Sequence, residues 1–74
     1  MTLALAQQGW AACDEDTIET VSPDGDLIVL ASGQTYDVAP GDDVTAAVWQ
    51  EGDDVLICED TIIDNGEYVD VTPH

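Results

Sequence analysis

From residue 17 onward the chain is divided into apolar runs of three to six residues, separated by turn-forming Gly, Pro, Asp and Asn. Runs this short fit antiparallel strands, because a helix needs a longer apolar periodicity to bury one face. We predict strands at residues 17–22, 27–31, 34–39, 44–49, 55–58, 61–63 and 68–72. The pattern indicates an all-β fold, a small antiparallel barrel of five to six strands that is SH3-like or similar.

Asn65 and Gly66 are a favoured pair for a two-residue turn, so the last two strands are predicted to form a hairpin.

Residues 44–49 contain two alanines that permit a helical turn. Their Val, Thr and Trp favour a strand, which is our prediction.

A short internal similarity also bears on the fold. Residues 33–40 and 66–73 share Gly, Asp, Val and Pro at matching positions. Each copy follows an apolar strand, residues 27–30 in the first case and residues 55–58 in the second. Two similar hairpin units would close into a five- or six-stranded barrel, although chance similarity among strands of this composition is an equal alternative.

The charge of the chain limits its function. It has 17 Asp and Glu, one His, and neither Lys nor Arg, which gives a formal net charge of −17. Direct nucleic-acid binding is excluded because phosphate contacts depend on Lys and Arg, and an anionic membrane surface is excluded for the same reason. Since carboxylates here meet only like charges, we expect lower stability at neutral pH than after mild acidification.

Three explanations of the acidity remain open. A shell of hydrated carboxylates suits a salty environment, it can bind cations weakly, and it can dock on a basic protein partner. Composition alone does not choose between them.

The first eleven residues differ from the rest because they carry no charge. Ala4-Leu5-Ala6 fits the small-x-small pattern of a signal-peptidase site. We interpret residues 1–11 as a signal-peptide remnant or, alternatively, an N-terminal arm, and residues 12–74 as a single barrel domain. No apolar run approaches the roughly 20 residues of a transmembrane helix. The prediction is a periplasmic or secreted protein without membrane insertion.

The two cysteines, Cys13 and Cys58, are 45 positions apart, and no C-x-x-C pair exists. In an exported domain this spacing predicts a disulfide. Closing a loop of that length stabilises by about 4 kcal/mol in the chain-entropy model. The alternative is that Cys58, at the end of an apolar run, is a buried thiol.

Conventional catalytic residues are scarce. The single histidine is His74, the last residue. Paired carboxylates suit a glycosidase-like mechanism, but that chemistry needs a cleft that so small a core has little room to form. We therefore predict that the protein is not an enzyme and has no cofactor, apart from weak Ca²⁺ binding.

Acidic doublets in glycine-containing turns are the candidate metal ligands. Asp42, Asp43, Asp53 and Asp54 bound the same strand region, and oxygen-rich loops suit calcium. None of these loops matches the EF-hand pattern, and turns prefer Asp and Gly in any case. The prediction is weak, shared cation sites at most.

Two aromatic residues are assigned by their surroundings. Trp49 is predicted to lie in the core or at its rim, because a chain without Phe needs a large packing residue. Tyr68 alternates with Val69 and Val71, so it is predicted to face solvent and is a candidate for partner contact. Its alternative role is to cover one end of the barrel.

Residues scattered over most of 17–58 form a wider pattern. It comprises Ile18, Val21, Asp24, Gly25, Ile28 and Leu30, then Gly33, Tyr36, Val38, Pro40 and Asp42, then Trp49, Gly52, Asp53 and Val55. This pattern resembles that of small secreted bacterial proteins of unknown function. The resemblance implies a small β-barrel and export, and it supplies neither an activity nor a site residue.

The sequence therefore predicts a non-enzymatic secreted or periplasmic accessory or interaction domain. Its protein partner is unknown, and one explanation of the acidity is that this partner is basic. A weak calcium-binding surface module is one alternative. An acidic inhibitor that mimics nucleic acid is another, although the carboxylates lie in turns around the whole barrel rather than along one face.

Overall fold

The computed structural model describes residues 13–74, which contain six strands and one short helix. The strands are β1 (Cys13–Val21), β2 (Leu27–Leu30), β3 (Thr35–Val38), β4 (Asp54–Cys58), β5 (Thr61–Asp64) and β6 (Glu67–Pro73), and helix α1 (Asp43–Ala46) lies between β3 and β4. The interpretation of residues 1–11 as a signal remnant or arm falls outside the described residues. Within residues 13–74, no helix has the length and apolar character needed to span a bilayer.

The six strands close into an antiparallel barrel in the order β1-β2-β3-β6-β5-β4, which confirms the predicted fold class. Strand β1 begins four residues earlier than predicted and serves both halves of the barrel. Residues 13–17 pair with β4 and residues 18–21 pair with β2. A register shift between Ile18 and Thr20 marks the change of partner, as a bulge that bends a strand would.

The two similar segments of the sequence form strands that are neighbours in the barrel. Strands β3 and β6 carry the two copies, and Val38 pairs with Val71 between them. The strand that directly precedes β6 is β5, so the predicted equivalence of residues 27–30 with residues 55–58 is wrong. Strand β2 corresponds instead to β5, and both strands alternate half-buried and buried residues in the same way.

Helix α1 and the turn after it replace the strand predicted at residues 44–49, and that prediction is wrong. Ala46 and Trp49 are buried, at 0% and 7% exposure. A strand would place residues three positions apart on opposite faces, whereas a helical turn places them on one face. Val44 and Val48, four positions apart, both stay exposed. The need to bury Trp49 beside Ala46 thus overrides the strand propensity of this segment.

One apolar core fills the barrel from the inward-facing residues of all six strands, and Ala46 and Trp49 pack against it. Its members are Ile18, Ile28, Leu30, Tyr36, Val38, Ala46, Trp49, Val55, Ile57, Ile62, Val69 and Val71. The predicted burial of Trp49 is therefore confirmed.

Gly25 lets the β1–β2 turn pack directly against α1. Its φ is +78°, and a Cβ at this position would overlap the carbonyl oxygen of Asp43 and lie 2.8 Å from the nitrogen of Ala47. Both neighbours are backbone atoms, which cannot move aside as a flexible side chain would.

We expect Gly25→Ala to lower the free energy of unfolding by about 2 kcal/mol more than Gly41→Ala does. Gly41 is the matched control, because its φ of +97° carries similar strain but nothing lies within 4 Å of its Cβ position. Urea denaturation of both variants measures the difference. Equal losses would show that the contact with α1 does not constrain Gly25.

Candidate functional site

Three apolar side chains form a row across the outer face of β4, β5 and β6. Leu56 pairs with Ile63, and Ile63 pairs with Tyr68. Directly paired residues in an antiparallel sheet point to the same face. Leu56 and Ile63 are half-buried, and Tyr68 is 66% exposed, as its alternation with Val69 and Val71 predicted. We call this set the apolar row.

Three carboxylates lie at the edge of the apolar row. Glu15 pairs with Leu56 and extends the row onto β1. Asp54 lies two residues before Leu56 on the same strand face. At the other end Asp70 lies two residues after Tyr68 on β6. An apolar centre with a polar rim is the usual anatomy of a protein–protein interface, and these three rim residues are all acidic.

Part of the apolar row lines a groove of about 640 Å³ beside β1. The lining residues are Glu15, Asp16, Thr17, Asp54, Val55, Leu56, Ile63, Asn65 and Gly66. The Ser32 hydroxyl, together with the backbone amides of Thr17 and Ser32, holds the pKa of Asp16 below its ordinary value despite partial desolvation. The Thr17 hydroxyl donates to Asp54 Oδ1 at 3.4 Å. The groove therefore keeps a stable negative charge beside an apolar floor.

The predicted disulfide is confirmed and lies next to this groove. Cys13 and Cys58 are bonded and occupy paired positions on β1 and β4. Their Cα atoms are 4.2 Å apart, close to the spacing of a non-hydrogen-bonded antiparallel pair. The bond joins the first residue of β1 to the last residue of β4, and these two strands carry Glu15 and Leu56.

Asp64 is a buried carboxyl group at the end of β5. It is 5% exposed, and within residues 13–74 no group donates a hydrogen bond to its Oδ2 atom. The carboxylate of Asp53 lies within hydrogen-bonding reach, and those of Glu67 and Asp54 are close enough to add repulsion. Burial is the largest cause, and Asp53 the next, of a rise in the pKa of Asp64 from 3.8 to about 6.

Trp49 holds one of these neighbours in place. Its indole N–H donates to Glu67 Oε1 at 2.9 Å. Glu67 is the register partner of Asp64 across the hairpin turn. The buried tryptophan that follows α1 therefore fixes a carboxylate beside Asp64, and the end of the barrel covered by α1 carries an acidic cluster made of Asp53, Asp54, Asp64 and Glu67.

The four predicted calcium ligands separate into two places. Asp42 Oδ2 accepts a hydrogen bond from the backbone N–H of Asp70 at 2.9 Å, and Asp43 begins α1. Asp53 Oδ2 accepts one from the N–H of Gln50 at 3.1 Å, and Asp53 and Asp54 belong to the acidic cluster. Within residues 13–74, no three His, Cys, Asp or Glu side chains are arranged to hold a metal ion. Weak calcium binding remains a prediction.

Sequence reasoning singled out Tyr68 and, as candidate metal ligands, Asp53 and Asp54, but not the rest of this site. Side chains alternate between the two faces of a strand, so Asp64 faces inward as Ile62 does, and this alternation was the available signal. The strand predicted at residues 61–63 stops one residue short of Asp64, which the structure includes in β5. The apolar row needed the pairing of β4 with β5 and of β5 with β6, which no local pattern supplies.

Comparison with protein-family models, with curated proteins and with solved structures gives no match.

Proposed function

We propose that this protein is a non-enzymatic, extracytoplasmic interaction domain, and that the apolar row with its acidic rim binds a basic partner. The partner segment would carry aliphatic or aromatic side chains flanked by Lys or Arg. The observation that carries the proposal is the register that joins the half-buried Leu56 and Ile63 to the exposed Tyr68 in one outward-facing row. Glu15, Asp54 and Asp70 lie at the edge of this row.

Charge complementarity selects the partner. The chain contributes a formal net charge of −17 and no Lys or Arg. A second copy of the chain would bring like charge against the rim, whereas a cationic segment gains favourable interactions at the same positions. Tyr68 suits the centre of such a contact, because exposed tyrosines supply large apolar area and a hydroxyl at low entropic cost.

The closed barrel favours recognition through side chains. Each of the six described strands pairs with a neighbour on both sides. Among residues 13–74 the strand segments paired on one side only are short, such as residues 13–16 of β1, which pair with β4 but not with β2. Binding by strand addition is therefore disfavoured. The groove beside β1 offers a concave surface for side chains instead.

Export is supported by the disulfide. Such bonds persist mainly in oxidising compartments outside the cytoplasm. A bonded pair in register between β1 and β4 is consistent with folding in the periplasm or outside the cell.

Fluorescence anisotropy with labelled peptides tests the proposal. The first peptide is Lys-Leu-Lys-Tyr-Lys-Leu-Lys, and the second replaces Leu and Tyr with Ser at equal charge. We expect the first to bind roughly tenfold more tightly, because only it fills the apolar row. Equal affinity for both peptides would show that attraction to net charge is the whole interaction.

Paired variants locate the binding surface. Tyr68→Ser is expected to weaken binding of the first peptide by roughly tenfold. Val48→Ser is the matched control, because Val48 is also exposed, at 68%, but follows α1 and lies outside the apolar row. Equal weakening in the two variants, or none in Tyr68→Ser, would remove the apolar row from the proposal.

A further inference from the structure

Asp64 and Asp53 can form a hydrogen bond with each other only when one of the two carboxyl groups is protonated. Both side chains are carboxyl groups, and ionised carboxylates are acceptors only. Asp64 Oδ2 is buried and receives no hydrogen bond from any N–H or O–H group in the described chain. The Asp53 carboxylate lies within hydrogen-bonding reach of Asp64. A proton on Asp64 turns two repelling acceptors into a donor and an acceptor.

The fold does not require a carboxyl group at this position. Strand β5 corresponds to β2, and both show the same alternation of burial. The last residue of β2 is Leu30, which is 1% exposed, and the last residue of β5 is Asp64. An aliphatic residue satisfies the equivalent place in the first half of the barrel. A buried acid without a donor is costly there, and such groups concentrate at functional positions.

This acid lies beside the proposed binding groove. Asp54 lines the groove and follows Asp53 in the chain, and Asn65 lines it and follows Asp64. The charged groups that act on Asp64 are Asp53 before β4, Asp54 on β4 and Glu67 on β6. All three are acidic, and Trp49 contributes a neutral donor to Glu67. A cation placed at Asp54 would offset part of this repulsion.

We propose that Asp64 and Asp53 share a proton in the free protein in mildly acidic solution, and that a cationic partner seated at the Asp54 side of the groove displaces it. This inference rests on the proposed function and adds its regulation. The cationic partner and the proton compete through charge, so binding releases a proton, and raising the pH strengthens binding. Linkage makes the two effects equal in free energy.

The expected size follows from the same linkage. A partner that lowers the pKa of Asp64 by about one unit gains at most tenfold in affinity when the pH rises from well below to well above that pKa. We expect the lysine–leucine peptide to bind three- to tenfold more tightly at about pH 7.5 than at about pH 5. Calorimetry in buffers of different ionisation heat should record release of up to about half a proton near pH 5.5.

Asp64→Asn separates this coupling from general titration. Asparagine is neutral at every pH, so the variant should retain the weaker, low-pH affinity and release almost no proton through this site. Asp24→Asn, in the exposed β1–β2 turn, is the control and should keep the wild-type pH dependence. Asp64→Leu, which copies the residue of β2, should behave as Asp64→Asn does.

The outcomes distinguish the two proposals. If the peptide affinity of Asp64→Asn changes between the two pH values as much as that of wild type, the coupling is overturned and the proposed binding surface stands. Absence of peptide binding at both pH values would overturn the proposed function and the coupling with it. A pH-dependent affinity that disappears only in the Asp64 variants supports both.

Discussion

Reducing the Cys13–Cys58 disulfide is expected to lower the free energy of unfolding by about 4 kcal/mol. The bond closes a segment with a sequence separation of 45, and it does so between paired positions of β1 and β4. The folded strands hold the cysteines together already, so the main loss is the constraint on the unfolded chain. Domains have only about 5–15 kcal/mol of stability, and a small core lies toward the lower end of that range.

Urea denaturation with and without reductant measures this loss. The double variant Cys13→Ser, Cys58→Ser should match the reduced protein and should not respond to reductant. A reduced protein that unfolds at the same urea concentration as the oxidised one would show that the barrel is stable without the bond. The groove would then owe its geometry to strand pairing alone.

Replacing Asp64 with asparagine is expected to stabilise the protein by roughly 3 kcal/mol at neutral pH, and to change little near pH 4. The folded pKa of about 6 lies above the ordinary 3.8, so the folded state binds a proton more tightly than the unfolded state. Between these values the folded state holds the extra proton, and the stability of the wild type falls as the pH rises. Above about pH 6 the full penalty of the buried charge is present.

Thermal unfolding across this pH range gives the measurement. At neutral pH the melting temperature of Asp64→Asn should exceed that of wild type by roughly 10–20 °C, the size expected for a small domain. Asp24→Asn removes an exposed charge from the β1–β2 turn and should change stability far less. If wild type shows no loss of stability between about pH 4 and pH 6 relative to Asp64→Asn, the buried acid is not the destabilising group.

The structure shows where in the fold the repulsion between carboxylates, which the composition implied, is strongest. The sequence has 17 acidic residues and no Lys or Arg, which predicts destabilisation at neutral pH in general terms. In the folded protein the buried position of Asp64, facing Asp53 and Glu67, concentrates that effect. Burial matters more than the number of charges because water and salt screen exposed carboxylates.

Local patterns in the sequence determined much of the architecture. Alternation of apolar and polar residues and the turns at Gly, Pro and Asn predicted short strands, and the Asn65-Gly66 hairpin formed between β5 and β6. The cysteine pair predicted the disulfide, and the absence of Phe predicted a buried Trp49. Each of these features depends on neighbours in the chain or on composition, so each could be derived without knowing which strands pair.

Tertiary structure alone decided the rest. The division of β1 between β2 and β4 and the pairing of β3 with β6 are contacts between distant residues, and they close the barrel. Residues 44–49 became a helical turn because Ala46 and Trp49 had to share one buried face, against their strand propensity. The apolar row and the Asp53–Asp64 pair exist only once β4, β5 and β6 lie side by side. Alternation gives each residue a face, but only strand pairing determines which residues share that face.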